Sequence, residues 1–539
     1  MKYTTRRELL GSVVSAAAAF AAPSRPNFLF LCPDQHRFDW MSGNERIPIR
    51  TPNLDSVAAR GVRFAKVTVA APVCAPSRAC LAAGKEYDNC GVAGNSDDYP
   101  IEQKTYYSLL RDSGYHVAAC GKLDLNKGSH FQGLDGRVHM EDWGFSDMIN
   151  NAGKGDAISH GAENPTDPYM AYLHQQGLAA TYVADLRKRV KEGYQATWPT
   201  TLPEDAYCDN WIGGNALQLM NRFPKGKPWH LVVNFAGPHD PEDITARMEK
   251  SCRGRRFLQP NGSSEFNREI HNRIRQNYTA MVENIDRWAG ILIEQLKSRG
   301  ELDNTVIIYS SDHGEMLGDH NRWHKAVPYE ASVCVPLVIA GPGVRAGLRS
   351  DALVSHIDIG ATILDYAGVA KPRDMQSLSL RSLLEGKTRR HRDFVRSGLG
   401  NWRMVYDGRY KLIRGFDPAE TRPARLAAGA GSRDVPPLLF DLHSDPLENR
   451  DIAGQAPEVM ARISKLFSPG ATPGTGHERQ HNRERLSTDE TLSNFAALCH
   501  RRPGAGGYGR RFGYRDRQHR RGDPARRSGY PSDSHQPCH

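Results

Sequence analysis

Short apolar runs spaced along the first 340 residues constrain the fold of this chain more than any other feature. They are typical of strands that are buried on both faces of a sheet. Longer segments with helical patterns lie between several of them, which indicates an α/β chain built on an open sheet. The runs cover residues 27–32, 116–120, 229–235, 305–309 and 333–340.

Polar and ionisable side chains follow four of these runs, and two more lie within one further segment, residues 73–85. In open α/β sheets the ligand site lies beyond the carboxyl ends of the strands. We therefore expect one active site to be assembled from these side chains. They are Asp34, Gln35, Cys74, Arg78, Lys122, His239, Asp312, His313 and Lys325.

Residues 73–85 read Val-Cys-Ala-Pro-Ser-Arg-Ala-Cys-Leu-Ala-Ala-Gly-Lys and predict a helix that starts near Pro76 and stops at Gly84. Cys74 is expected just before the helix N-terminus, where backbone N–H groups and the dipole favour negative charge. The next turn adds a hydroxyl and the guanidinium of Arg78. A nucleophile beside an anion-binding cradle is one interpretation, and a buried structural cysteine before a surface helix is the other.

The same segment resembles the signature of the type I sulfatases, Cys-x-Pro-Ser-Arg followed by a Leu/Thr-Gly-Arg/Lys ending. One supporting position departs from it, because Ala83 stands where the family often has threonine. In that family a maturation enzyme oxidises the cysteine to formylglycine (3-oxoalanine), an aldehyde whose hydrate is the nucleophile. The resemblance implies this fate for the cysteine here. The matching residues are Cys74, Pro76, Ser77, Arg78, Gly84 and Lys85.

The resemblance also implies a metal site. Asp34-Gln35 takes the place of a ligand pair that is usually Asp-Asp, and the Ser-Asp-His-Gly turn that contains Asp312 resembles the family's second metal-binding segment. Family practice indicates Ca²⁺, a hard ion that prefers oxygen, and a histidine ligand leaves Mn²⁺ and Zn²⁺ as alternatives. The implied ligands are Asp34, Gln35, Cys74, Asp312 and His313.

Three further residues take catalytic positions by resemblance. Lys122 matches the lysine of the family's Gly-Lys-Trp-His, His239 its Pro-His-x-Pro and Lys325 its Lys-x-x-x-Tyr-Glu, whereas Asp124 replaces the usual histidine. Together with Arg78, the lysines are expected to neutralise the sulfate group. A proton from His239 or Lys325 is expected to accompany the departing alcohol.

The resemblance covers residues 26–468. It implies an α/β fold, an alkaline-phosphatase-like α/β/α sandwich with a smaller C-terminal α+β domain that carries an antiparallel sheet. We place the catalytic domain at residues 26–390 and the α+β subdomain at residues 391–468. Short strand patterns between residues 403 and 442 favour the small sheet.

The formal net charge of +10 comes mostly from the two ends of the chain. Residues 501–530 hold ten Arg and two Asp, so the rest of the chain offers no broad basic face and no nucleic-acid partner is expected. Residues 469–539 are rich in Gly, Arg, His and Pro and predict a basic, disordered tail. A nucleic-acid-binding tail and a translational artefact are the alternatives.

Residues 1–22 predict a signal peptide of the twin-arginine type. Arg6-Arg7 precedes an apolar run, residues 13–22, that is too short to span a bilayer comfortably. A plain secretory signal with two chance arginines is the alternative. The prediction is a periplasmic or secreted enzyme of bacterial type, with the export machinery as a partner.

These observations imply a sulfuric ester hydrolase that uses formylglycine at Cys74 and a divalent metal. Export favours a sulfated carbohydrate as the substrate, and a formylglycine-generating enzyme is the expected maturation partner. One alternative is a phosphonate monoester or phosphodiester hydrolase of the same superfamily. An inactive relative that binds sulfated glycans is the other.

Overall fold

A computed structural model describes residues 25–263, 265–420 and 435–468. The predicted signal peptide at residues 1–22 and the predicted tail at residues 469–539 lie outside these described residues. None of the helices in the described ranges is long and apolar enough to cross a membrane.

Strands form two sheets, one of eight strands and one of four. The large sheet holds β1 (Asn27–Leu31), β2 (Gly61–Thr68), β3 (His116–Gly121), β4 (Asp147–Asn150), β5 (Trp229–Asn234), β6 (Thr305–Ser310), β7 (Cys334–Ala340) and β8 (Leu348–Ser350). The small sheet holds β9 (Val395–Leu399), β10 (Trp402–Tyr406), β11 (Tyr410–Arg414) and β12 (Leu438–Asp441).

The large sheet has the strand order β4-β3-β5-β1-β6-β7-β2-β8. Strands β4, β3, β5, β1 and β6 are parallel, and β7 runs antiparallel to both β6 and β2. The carboxyl ends of β1, β2, β3, β5 and β6 therefore meet at one edge of the sheet. This is the edge at which the sequence predicts the active site.

Helices cover both faces of the large sheet. Along β1, Phe28 and Phe30 join one hydrophobic core, and Leu29 and Leu31 join the other, as the two-residue period of a strand requires. The α/β/α sandwich is thus confirmed. The helices are α1 (Pro52–Ala59), α2 (Cys74–Ala83), α3 (Tyr106–Asp112), α4 (Met140–Trp143), α5 (Lys154–Gly161), α6 (Pro168–Gln175), α7 (Ala179–Glu192), α8 (Cys208–Arg222), α9 (Ala246–Cys252), α10 (Arg268–Ser298), α11 (Glu330–Val333), α12 (Asp358–Tyr366), α13 (Arg381–Leu384) and α14 (Pro457–Ser464).

All five apolar runs form strands, but two local predictions need correction. The structure adds β4, which lies outside the five apolar runs. This edge strand is short and only alternately buried, so it lacks the continuous apolar pattern of a central strand. Helix α2 begins at Cys74 itself, because the preceding Val73 is extended and accepts a hydrogen bond from the backbone N–H of Ser77 at 2.9 Å.

The small sheet is antiparallel, as predicted, and is a meander with the order β12-β11-β10-β9. Val405, Leu412 and Leu439 from its strands form a separate hydrophobic core with Ile463 of α14. The strands lie within the range expected for the C-terminal subdomain. The domain boundary at residues 390 and 391 itself stays a prediction.

Candidate active site

Four potential metal ligands converge at the carboxyl edge of the large sheet. Asp34 follows β1, Asp312 and His313 follow β6, and Cys74 begins α2 after β2. One ligand atom from each of these four buried residues lies within 4.8 Å of the other three. We call this group the catalytic cluster.

Helix α2 brings Cys74 and Arg78 to the same point, because residues four apart share one face of a helix. Gly84 ends the helix in the left-handed conformation, with φ 62°, that glycine adopts without strain. The Arg78 guanidinium spans the cluster: Nε is 3.1 Å from Asp312 Oδ2, and Nη2 is 3.3 Å from Asp34 Oδ2. Its remaining Nη1 donates to Asn234 Oδ1 at 2.9 Å.

Asp34 is surrounded by cations. Lys122 Nζ also donates to Asp34 Oδ2. Burial opposes ionisation of this carboxyl, but Lys122, His239 and Arg78 hold its pKa well below the usual range. The preceding residue, Gly121, packs directly against β5: a Cβ added there would lie 1.9 Å from the backbone O of Asn234. This close approach of the two strands brings Lys122 to its position.

Cys74 is a buried thiol in an electropositive setting. Its Sγ lies 3.2 Å from His313 Nε2 and 3.9 Å from Asp34 Oδ1. Burial and Asp34 oppose its ionisation, yet neighbouring cations, with Lys122 and Lys325 foremost, hold the pKa of the thiol well below its usual range. His313 Nδ1 lies 3.1 Å from Gly314 O, which can only accept a hydrogen bond. The proton therefore belongs on Nδ1, and the Nε2 lone pair faces the cluster.

The adjoining side of the site is formed by Gln35, Lys325 and His239. The Gln35 backbone N–H donates to Asp312 Oδ1 at 3.0 Å, and Lys325 Nζ donates to Gln35 Oε1. Lys325 Nζ also lies 2.5 Å from His239 Nε2. Burial and Lys325 lower the pKa of His239, but Asp240 and other charges outweigh them and raise it to about 10. Two cations cannot donate to each other, so one proton lies between these nitrogens.

Asp124, which replaces the family's histidine, extends the network of buried charges. Its Oδ2 is 3.1 Å from both Lys122 Nζ and Lys127 Nζ. Burial opposes ionisation of Asp124, but these lysines hold its pKa below the usual range. Lys127 also contacts Asp156 at 2.5 Å. The carboxylate of Asp124 thus forms an ion pair with Lys122. An imidazole at this position carries no negative charge and could not form that ion pair.

Every residue in the predicted site lies in this one region, and the residues that contact it include three without a role assigned from sequence. Asn234 accepts from Arg78, Glu315 accepts from the Gln35 amide, and Asp240 lies 3.1 Å from His239 Nδ1. Asn234 had a usable signal, since it is the polar last residue of an otherwise apolar strand. Glu315 directly follows a predicted site motif, but its partner Gln35 is distant in sequence. Asp240 lies within the Pro-His-x-Pro element, next to its partner His239.

Fold and site together define a hydrolase with an alkaline-phosphatase-like α/β/α sandwich. The sulfatase family profile matches residues 26–369, and the profile of the N-sulphoglucosamine sulphohydrolase C-terminal region matches residues 318–421. The chain therefore belongs to the sulfatase family, and we assign it as a sulfatase, an enzyme that hydrolyses sulfate esters.

Two relatives agree with this assignment, and one solved structure shares the fold. The chain is 27% identical to mouse arylsulfatase K over 527 residues, which cover 91% of this chain and 90% of that protein. It is 26% identical to an N-acetylglucosamine-6-O-sulfatase of Bacteroides thetaiotaomicron over 472 residues, covering 80% and 83%. A solved phosphonate monoester hydrolase of Agrobacterium radiobacter has a similar fold, with a TM-score of 0.66, 21% identity, and coverage of 82% and 94%.

Proposed function

We propose that this sulfatase acts on a sulfated carbohydrate through a formylglycine made from Cys74. The position of Cys74 carries the proposal: it begins α2 inside a buried cluster of two carboxylates and an imidazole. The hydrate of the aldehyde would supply a hydroxyl nucleophile that an unmodified cysteine lacks. This modification requires a formylglycine-generating enzyme as maturation partner.

The donor set of the cluster fits a divalent cation. Carboxylate oxygens of Asp34 and Asp312 suit a hard ion such as Ca²⁺, and the amide of Gln35 adjoins them. His313 Nε2 presents a lone pair to the same point, which leaves Mn²⁺ and Zn²⁺ as alternatives. When bound, the metal would act as a Lewis acid that polarises the sulfate group.

The cations of the site would bind the sulfate ester. Arg78 and Lys122 already lie on Asp34, so they are held in place before the substrate arrives. Donors fixed in this way stabilise charge that develops in the transition state without reorganisation. The shared proton between Lys325 and His239 would be delivered to the departing alcohol oxygen.

The substrate class is supported by the relatives. One of them is named for the 6-O-sulfate of N-acetylglucosamine, and its match spans most of both chains. A periplasmic or secreted location, reached through the twin-arginine signal expected at residues 1–22, would suit an enzyme that meets glycans. We keep the phosphonate monoester hydrolase as the alternative, because the same fold serves that reaction.

The test is a comparison of two substrates. Protein co-expressed with a formylglycine-generating enzyme is assayed for kcat/KM on an aryl sulfate and on the matching aryl phosphonate monoester. A ratio that strongly favours sulfate supports the proposal and justifies a screen of sulfated sugars. A ratio that favours phosphonate contradicts it and moves the activity to the alternative class.

A further inference from the structure

A separate cavity is lined in part by the loops that follow β1 and β6. Its volume is about 260 Å³, and none of its lining residues belongs to the cluster. Arg37 reaches it from the loop after β1, and Asp319 reaches it from the loop after β6. Because these strands are parallel neighbours, both loops leave the sheet at the edge where Asp34 lies. Three residues of chain span at most about 11 Å, so the Arg37 Cα is no farther than that from the Asp34 Cα.

The cavity wall carries an excess of positive charge. It holds the guanidinium groups of Arg37, Arg46 and Arg275 but only two carboxylates. Both carboxylates are engaged by Arg37, with 2.6 Å to Asp39 and 2.6 Å to Asp319. Arg46 is exposed, and its side chain makes no ion pair within the described ranges. A cation at the rim is thus left for a ligand.

Arg275 adds a buried donor without a partner. Its Nη1 donates to Leu258 O at 2.9 Å, and its Nη2 donates to Leu317 O at 3.0 Å and lies 3.5 Å from Asp319 Oδ1. Its Nε has no hydrogen-bond partner among the described residues, although Arg275 is only 6% exposed. A guanidinium can only donate, and a buried donor left unpaired is unfavourable. An acceptor that enters the cavity would satisfy it.

We propose that this cavity binds a second anionic group, a sulfate or a carboxylate, of the same glycan whose sulfate ester lies in the catalytic cluster. The proposal rests on the function proposed above. Oxygens of either anion match the planar donor pattern of arginine. Arg275 would donate from the wall and Arg46 from the rim. A simple aryl sulfate has no group for this cavity, so the cavity would select oligosaccharides that carry several acidic groups.

The experiment reverses the rim charge and uses a neighbouring arginine as control. Arg46→Glu is compared with Arg50→Glu, an exposed residue outside the cavity wall that undergoes the same charge change. The probes are a heparin tetrasaccharide and glucosamine 6-sulfate, each titrated as an inhibitor of aryl sulfate hydrolysis. We expect Arg46→Glu to raise the inhibition constant of the tetrasaccharide by about tenfold, which is the change in affinity expected when one charge-assisted hydrogen bond is lost. The kcat/KM for the aryl sulfate and inhibition by glucosamine 6-sulfate are expected to stay unchanged.

Equal weakening by both variants would overturn the proposal, since it would reflect general electrostatic attraction. No weakening by either variant would overturn it as well. Inorganic sulfate is titrated calorimetrically in parallel: if Arg46→Glu removes a sulfate site but leaves tetrasaccharide inhibition intact, the cavity binds a free anion instead. Binding of the tetrasaccharide is also measured calorimetrically in Cys74→Ala proteins with and without Arg46→Glu. This measurement needs no turnover, so it distinguishes failure of the proposed catalytic function from failure of the subsite.

Discussion

Arg78 Nη1 donates to Asn234 Oδ1 across 2.9 Å, and this hydrogen bond ties helix α2 to the end of strand β5. The other donors of Arg78 lie on Asp312 and Asp34. The guanidinium is therefore fixed on three sides before any substrate binds. Asn234 acts through Arg78 and is a positioning residue.

Replacement of Asn234 by leucine leaves one buried Arg78 N–H unpaired. Such a loss costs about 1–3 kcal/mol, so we expect kcat/KM for an aryl sulfate to fall about tenfold to a hundredfold. Asn215→Leu, which removes a partly buried amide on α8 away from the site, is the control and should leave kcat/KM unchanged. A merely structural role of Asn234 would lower the thermal midpoint without changing the kinetics of the folded enzyme.

Cys74→Ala removes the thiol group that the proposed maturation would convert into the aldehyde of formylglycine. We expect kcat to fall by about a thousandfold or more, as when other covalent nucleophiles are removed. The thermal midpoint should change little, because only one small side-chain atom is lost. Cys80→Ala removes a buried thiol from the same helix and should retain activity. Activity near that of the unmodified sequence in Cys74→Ala would contradict the proposed chemistry.

The metal proposal predicts a specific pattern of metal content. Asp312→Asn should lower the metal bound after dialysis, because it weakens one carboxylate ligand of the cluster. Asp124→Asn is the matched control, since Asp124 is buried nearby but lies on Lys122 and Lys127. Elemental analysis of protein purified without added salts reports both the identity and the amount of the metal. Equal metal loss in both variants would argue against the assigned ligands.

Lys325 and His239 are expected to matter most when the leaving group needs a proton. General acid catalysis contributes about 10²–10⁴-fold, and an aryl oxide of low pKa gains little from it. For Lys325→Ala we therefore expect a much larger loss of kcat/KM with alkyl or sugar sulfates than with 4-nitrophenyl sulfate. The measurement is kcat/KM across a series of leaving groups. A loss that is the same for all of them would assign Lys325 to sulfate binding alone.

Asp358, the first residue of α12, predicts a dependence of stability on pH. Burial opposes its ionisation, but Arg392 and His391 hold its pKa well below the usual range. A depressed carboxyl pKa contributes stability that is present above the unfolded pKa of about 4 and is lost as the pH falls further. Asp358→Asn should therefore lower the free energy of unfolding at pH 7 by about 3 kcal/mol. The difference from the parent protein should shrink at pH 3.

Denaturant unfolding at both pH values gives this difference directly. Asp365→Asn is the control, because that carboxylate is 40% exposed beside Arg381 and contributes less than about 1 kcal/mol. A difference for Asp358→Asn that is the same at pH 3 and pH 7 would show that ionisation of Asp358 is not what stabilises the fold.

Much of the fold could be predicted because buried strands leave a local pattern. The runs at residues 229–235 and 305–309 are continuous and apolar, and both became central strands. Strand β4 could not be recognised, because an edge strand of four residues is only half buried and has no such pattern. The start of α2 shifted to Cys74 because the extended Val73 is set by packing, which Pro76 alone does not indicate.

The sequence by itself determined the chemical groups of the site and their order along the chain, since strand ends and short motifs are local features. It placed Asp34, Cys74 and Asp312 in one site through the rule that parallel strands end at the same edge. Only the tertiary structure decided the pairings: Arg78 with Asn234, and Lys325 with His239. Such contacts join residues far apart in sequence, and their partners follow from three-dimensional packing, which no local period encodes.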